Sequence, residues 1–283
     1  MVPDVDESGY AADAGTALHE GLQEWARSGG DETKAYLTLM QWWPWELEDL
    51  RIKQDARTFG NALLLLKELM HAPFWDEWEV AILPDGTHAI ELPFRINHTS
   101  LGSFIHPRTG RHTYLATQGK MDFIVRNRRS GDLMGLDLKT TLYDEDTQPA
   151  QFRFQGQSGQ YGMVLSAAVG HDFHTHGINF CYLVGEFSAY GPNVREFKYT
   201  LSPEEVEDSI QAKNDRLERI LKYARQGWWP RRSHGCVFYG TPCGYLEVCH
   251  RRDYEFLMAW FANEADRFKF SQRIYQPYWI LEA

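Results

Sequence analysis

The chain has 283 residues, 43% of them hydrophobic and 14% aromatic, with a formal net charge of −10. That is ample material for a buried core, and the 24% of charged residues match an ordinary soluble protein. No apolar run approaches the roughly 20 residues that cross a bilayer, and the acidic opening Met1–Glu7 lacks the pattern of a signal peptide, so a cytoplasmic protein without membrane contact is the expectation. The acidic total argues against a uniformly basic surface, but binding of a polyanion follows the local field rather than the sum. Arg126, Arg128 and Arg129, then Arg231 and Arg232, then Arg251 and Arg252 form small basic clusters, each of which also describes a solvated turn.

In chain order, helical apolar spacing predicts helices over Ala14–Ala26, Asp31–Trp43 and Arg57–Met70. The period then changes to two. Glu77–Leu83 and His88–Ile96 read as strands around a Pro84-Asp85-Gly86 turn, and Gly119–Arg126 and Leu133–Lys139 as strands around an Arg128–Gly131 turn. Phe152–Val169 reads as a helix, and Ile178–Phe187 and Val194–Tyr199 as strands. Ser202-Pro203-Glu204-Glu205 starts a helix, with Ser as N-cap and Pro in the first turn, running to about Arg225. Residues 227–252 are rich in Gly, Pro, Trp and Cys and read as irregular, and a last helix is expected over Tyr254–Ala265. The expectation is an α/β fold, a mixed central sheet flanked by helices with an αβββαβ-like core and helical additions at both ends. Without repeats or a low-complexity linker, residues 1–283 read as one domain. A Walker A loop and a Gly-x-Ser-x-Gly elbow are both absent, which removes an ATP-driven motor and the usual serine hydrolase.

The chemistry concentrates in Gly119–Thr141, GKMDFIVRNRRSGDLMGLDLKTT. Asp137 and Lys139 are two apart on a strand and share a face, while Leu136 and Leu138 point the other way. Asp122, on the preceding strand of the hairpin, adds a second carboxylate. Two carboxylates gathered on apolar strands are costly without a counter-charge. A hard divalent cation such as Mg²⁺ supplies it, because it takes one or two carboxylates and keeps the rest of its shell for water and substrate phosphate. Lys139 then stands ready to orient a water and offset developing negative charge. Taken alone, D-x-K is common and also describes a surface ion pair.

The order of motifs resembles a known family. G-x-x-D, a hairpin and a strand ending D-x-K-T resemble the core of the PD-(D/E)xK nuclease superfamily, and the flanking segments resemble its RecB-type exonuclease branch. GTALHEGLQ, Gly15–Gln23, resembles the helical motif whose histidine joins the metal shell, here His19. QFRFQGQSGQYGMVL, Gln151–Leu165, resembles the helix with a Q-x-x-x-Y signature, here Gln157 and Tyr161, which share a helix face. The resemblance implies Mg²⁺ or Mn²⁺ held by His19, Asp122, Asp137 and the Leu138 carbonyl, with Lys139 on the water and Gln157 and Tyr161 on the DNA. It further implies an exonuclease acting on DNA ends or single strands, in a phage or bacterial recombination or repair setting. The rival is a non-catalytic nucleic-acid-binding or assembly protein on the same fold.

Cys236, Cys243 and Cys249 resemble the C-terminal triplet of RecB-type nucleases that carry a [4Fe–4S] cluster, in which a fourth cysteine precedes the histidine helix. Here no cysteine precedes His19, and the first spacing is longer than in such relatives. A trimmed N-terminus, a lost cluster and a non-cysteine ligand all account for this. His234 and His250 flank the triplet and offer a zinc alternative. Cys181, in a core strand, reads as a small buried hydrophobe, so the expectation is that the chain as it stands holds no complete four-cysteine site. Trp42, Trp43 and Trp45 and the pair Trp228 and Trp229 offer base-stacking surfaces, but packing beneath loops is the preferred reading. His171, His174 and His176 read as a polar turn.

Overall fold

A computed structural model of the chain describes residues 7–45, 56–105, 110–141, 158–188, 191–226, 237–238, 241–242 and 279–282. Over these residues the chain forms two compact units, Met1–Asn97 with Ala116–Asn214 and Pro277–Ala283, and His98–Leu115 with Asp215–Gln276.

The first unit begins with three helices, α1 (Glu7–Arg27), α2 (Glu32–Trp42) and α3 (Phe59–Met70). Their starts follow from capping. The Asp31 carboxylate accepts from Lys34 N at 3.1 Å and the Thr58 hydroxyl from Asn61 N at 3.2 Å, satisfying main-chain donors that have no partner inside the helix. A short helix, α4 (Phe74–Glu77), leads into strand β1 (Trp78–Val80), and the expected Pro84–Gly86 turn follows, with Gly86 N donating to Leu83 O. The remaining strands are β2 (Ile90–Asn97), β5 (Ala116–Asn127), β6 (Leu133–Thr141), β7 (Ile178–Glu186), β8 (Asn193–Leu201) and β11 (Trp279–Glu282). Helix α5 (Ser158–Val169) and the short α6 (Phe173–His176) precede β7, and α7 (Pro203–Gln226) follows β8. Ser202 caps α7 reciprocally: its hydroxyl accepts from Glu205 N at 3.2 Å, and the Glu205 carboxylate accepts from Ser202 N at 2.9 Å.

The sheet runs β11-β2-β5-β6-β7-β8, with β1 also pairing along β5. It is mixed, because β6 and β7 are parallel, as are β11 and β2, while the other pairs are antiparallel. The fold expected from the sequence is the one observed, a central mixed sheet flanked by helices. Alternation divides its core in two. Leu136, Leu138, Cys181 and Leu183 pack with Leu18, Leu22, Leu39, Leu65 and Leu66 of α1–α3. Phe180, Tyr182 and Val184 face the other way and pack with Tyr161, Val164 and Leu165 of α5. Truncating one of these leucines to Ala costs about 2–5 kcal/mol, so each face anchors the strands that carry the polar residues described below.

Gly177 connects α6 to β7 at φ +65°, where a Cβ would lie 2.0 Å from the Leu201 carbonyl oxygen. Gly177→Ala therefore meets both backbone strain and a clash with main chain. It is expected to lower stability by about 2 kcal/mol or more, read as a lower denaturant midpoint at unchanged slope. An unchanged midpoint would show that β7 and β8 do not approach there as described.

In the second unit, β3 (Ser103–Ile105) and β4 (His112–Tyr114) form an antiparallel pair. The Arg225 guanidinium donates to the carbonyls of Ser103, at 2.9 Å, and Leu101. Two short strands, β9 (Val237–Phe238) and β10 (Thr241–Pro242), also pair. The sequence patterns did not reveal these four strands, β11 or α4. The helix expected over Tyr254–Ala265, the first turns of that over Phe152–Val169, and Cys236, Cys243, Cys249, Trp228 and Trp229 lie outside the described residues.

Candidate active site

The ladder between β5 and β6 stops at the Phe123↔Leu136 pair, one residue short of Asp122 and Asp137. On its other side β5 pairs Ile90↔Phe123 and Leu92↔Met121, so Asp122 lies opposite Glu91. Asp122 thus sits where β5 loses regular pairing on both sides. Its side chain takes over part of the lost bonding: Asp122 Oδ2 accepts from Leu138 N at 2.9 Å. The register also fixes the faces, since residues opposite one another in an antiparallel pair project from the same side. Asp122 and Asp137 therefore share a face, and Lys139, two residues along β6, shares it too.

Asp137 is almost fully enclosed, at 4% exposure. Its Oδ1 accepts from the Tyr161 hydroxyl at 3.0 Å, and its Oδ2 is ion-paired with Lys139 Nζ. The Tyr161 ring is itself buried, stacked on Phe180 with centroids 5.0 Å apart. Burial, then the nearby carboxylates of Asp137 and Asp122, push the Tyr161 hydroxyl pKa upward, so it remains a proton donor. Lys139 lies over the face of Tyr182, with Nζ 5.9 Å from the ring centroid.

His19 enters from α1, whose Leu18 and Leu22 are anchored in the core. Its Nδ1 is 3.5 Å from Asp122 Oδ2, and its ring is hydrogen-bonded to the Leu138 main chain. Burial lowers its pKa, opposed by the Asp137 charge and reinforced by Lys139, so the ring is held neutral, the form that ligates metals. Asp122 is pushed the other way. Burial first, then the charge of Asp137, raises its carboxyl to about 7, against the pull of the Leu138 N–H and Lys139. His19, Leu138 and Lys139 line a cleft of about 530 Å³ together with Gly15, Glu91 and Lys120.

Glu91 and Lys120 were not singled out by the sequence. Glu91 adopts φ +54°, the one non-glycine residue with positive φ among those described, a conformation that costs of order 1–3 kcal/mol. Its signal was an acid inside an otherwise apolar strand run. Lys120 carried the same two-residue spacing to Asp122 that links Asp137 to Lys139.

Among the described residues, no three His, Cys, Asp or Glu side chains gather closely enough to cage a metal by themselves. The donor chemistry here suits a hard cation that needs fewer. Two facing carboxylates, one with its pKa raised to about 7 by burial and by the charge of the other, match the small protein share of a Mg²⁺ shell. Cys181 is fully buried and its thiol pKa is pushed up to about 12 by that burial, so it is a core residue and not a thiolate ligand. Gln157 lies outside the described residues. His171 Nε2 contacts the Gly177 carbonyl at 2.7 Å, and Asp172 caps the short helix that holds His174 and His176. Trp43 is buried, whereas Trp42 and Trp45 are exposed, the latter ring packed on Phe59. Arg126 and Arg128 are both engaged by Glu79.

A family model described as the PD-(D/E)XK nuclease superfamily matches residues 2–250. No curated protein matches the sequence. Among solved structures, one from Eubacterium rectale, to which exonuclease activity is ascribed by name only, is 12% identical, with 86% of this chain and 80% of that one covered and a TM-score of 0.45. Another, named SSO0001, is 16% identical over 70% of this chain and 74% of its own, with a TM-score of 0.27. Likenesses this distant carry no argument; the model match over most of the chain does.

Proposed function

The chain belongs to the PD-(D/E)XK nuclease superfamily, and from that premise we propose that it is a metal-dependent deoxyribonuclease, an exonuclease of the RecB type that hydrolyses DNA from ends or in single strands during recombination or repair. The observation that carries this reading is the placement of Asp122 and Asp137 side by side where the β5–β6 ladder ends, with Lys139 paired to Asp137.

Asp122, Asp137 and the Leu138 carbonyl would hold Mg²⁺ or Mn²⁺, with His19 at its edge. The bound cation supplies Lewis acidity toward the phosphodiester and lowers the pKa of a coordinated water. Asp137 is kept in one orientation by the Tyr161 hydroxyl, so the carboxylate does not have to reorganise as substrate arrives. Lys139 Nζ, on the cleft side of Asp137, orients the attacking water and offsets charge building on the phosphoryl oxygens. His19, held neutral, is free to share a lone pair or accept a hydrogen bond. Tyr161 acts through Asp137, and Gln157, which the family resemblance pairs with Tyr161, is the direct DNA contact in this reading.

The test uses purified protein with end-labelled linear duplex, linear single-stranded DNA, closed circular DNA and RNA, each with Mg²⁺, Mn²⁺ or EDTA. Metal-dependent release of nucleotides from linear DNA, with circles left intact, is the expected result. Cutting of circles at a similar rate would replace the exonuclease by an endonuclease. Cleavage of RNA alone would overturn the choice of DNA. DNA retention without cleavage in either metal would leave the non-catalytic binding protein standing.

A further inference from the structure

A second ordered row of side chains reaches the same cleft from α1. Gln23 is fully buried. Its Oε1 accepts from Arg27 Nη2 at 3.1 Å, and its Nε2 donates to Glu91 Oε1 at 2.9 Å. The other oxygen of Glu91 is ion-paired with Lys120 Nζ. Lys120, two residues before Asp122 on β5, lines the cleft that His19, Leu138 and Lys139 also line, and is about half exposed there. An ordinary exposed ion pair adds little to a fold. It explains neither a glutamate held at φ +54° near the start of β2 nor a buried glutamine committed to holding that glutamate. Backbone strain at a cleft, maintained by surrounding bonds, is instead the signature of a positioned functional group.

The charge of the cleft says what that group is for. Glu20 and Glu91 line it, and Asp122 and Asp137 are in contact with its lining residues His19 and Lys139, in a chain of net charge −10. The lysines lining it are Lys120 and Lys139. Lys139 is engaged with Asp137 at the reacting centre. A polyanionic strand entering here needs a second cation at the mouth, and a lysine ammonium is a compact point charge suited to a phosphate oxygen.

We propose that Lys120 is a substrate-binding residue that grips a backbone phosphate next to the one being cleaved, with Glu91, Gln23 and Arg27 as the positioning residues that aim it. This rests on the reading of the cleft as a nuclease site. Glu91 lends Lys120 an anchor on the side away from the strand, and Gln23 fixes Glu91 so that the anchor does not swing into the space of the phosphate.

The test measures binding of fluorescent single-stranded DNA by anisotropy, with Ca²⁺ in place of Mg²⁺ to suppress turnover, across a salt series. Lys120→Met is expected to weaken binding about 5–10-fold, to the same extent for different base sequences, and to flatten the slope of log K against log salt by about 0.7, one phosphate contact on a single strand. In Mg²⁺ the rise in KM should exceed the fall in kcat, and Lys120→Arg should recover most of the affinity. Glu91→Gln should weaken binding in the same direction but by less, with the salt slope kept, because the cation remains. If the unmodified protein binds and cleaves but Lys120→Met keeps its affinity and slope, Lys120 is not a phosphate contact and the proposal fails alone. If the unmodified protein neither binds nor cleaves DNA, the proposal falls together with the nuclease reading. Equal losses in Lys120→Met and Lys120→Arg, with a lowered unfolding temperature in both, would mark a structural ion pair and overturn it.

Discussion

Asp137→Asn is expected to remove about three orders of magnitude or more of metal-dependent DNA cleavage while moving the thermal midpoint by only a few degrees. The substitution is isosteric. An asparagine carbonyl in the Oδ1 position still accepts from the Tyr161 hydroxyl, so the buried hydrogen bond at 3.0 Å survives and packing against Phe180 is undisturbed. What disappears is the negative charge at the centre of the site, and with it both a cation ligand and the partner of Lys139. Lys139→Ala should cost a comparable factor, since losing one preorganised group on the developing charge removes roughly 10²–10³ in rate. The two losses should not add in the double variant, because both residues serve one event. Single-turnover rates on end-labelled DNA, with unfolding curves of the same preparations, check this. Activity within a few-fold of the unmodified protein in either variant would refute the roles assigned to the pair.

The second large effect runs in opposite directions for stability and for activity. The Asp122 carboxyl is raised from near 3.8 to about 7 by burial and by Asp137. A group whose folded pKa lies above its unfolded value stabilises the fold fully at low pH and loses that contribution as pH rises through the folded pKa. Metal-free protein in EDTA should therefore lose stability, on the order of 2–4 kcal/mol from this group, between about pH 4 and pH 8. Asp122→Asn removes the ionisation while keeping an acceptor for Leu138 N. It should be more stable than the unmodified protein at pH 8, with the gap closing toward pH 5, and it should be inactive. Added Mn²⁺ should raise the midpoint of the unmodified protein at pH 8 and leave the variant unmoved, since only a ligand that binds the folded state stabilises it. Below pH 7 the cation must displace a proton from Asp122, so the shift should shrink. A variant less stable at both pH values would mean that Asp122 is held mainly by favourable bonds and not by the counter-charge it lacks.

Strand alternation was enough to put Asp137 and Lys139 on one face and Leu136 and Leu138 in the core, because period two is a local property of β6. The cap at Ser202 was local as well. Glu91 escaped because its meaning depends on the register between β2 and β5, which sets it opposite Asp122, and on Gln23 of a distant helix. Tyr161 was legible as a neighbour of the site, but not as a buried donor to Asp137, since its depth is decided by how α5 packs on Phe180 and Phe94. The strands β3 and β4 are three residues each, too short to show a period. The partner of β11 lies some 185 residues earlier in the chain, where no local pattern points.

That last pairing bears on how the protein is made. β11 lies parallel to β2, with Trp279 opposite Phe94 and Glu282 opposite Asn97. The ribosome therefore completes β2 roughly 185 residues, or about 10–40 s, before the strand that pairs along its edge exists. Over that interval the nascent sheet has an open flank with unsatisfied main-chain donors and acceptors, the kind of edge that recruits stray strands. Arg95, exposed in mid-strand, and Pro93, which cannot donate to a ladder, both discourage such pairing. Closing contacts of such long sequence separation also slow folding, which makes docking of β11 on β2 a candidate for the slowest step in completing this sheet.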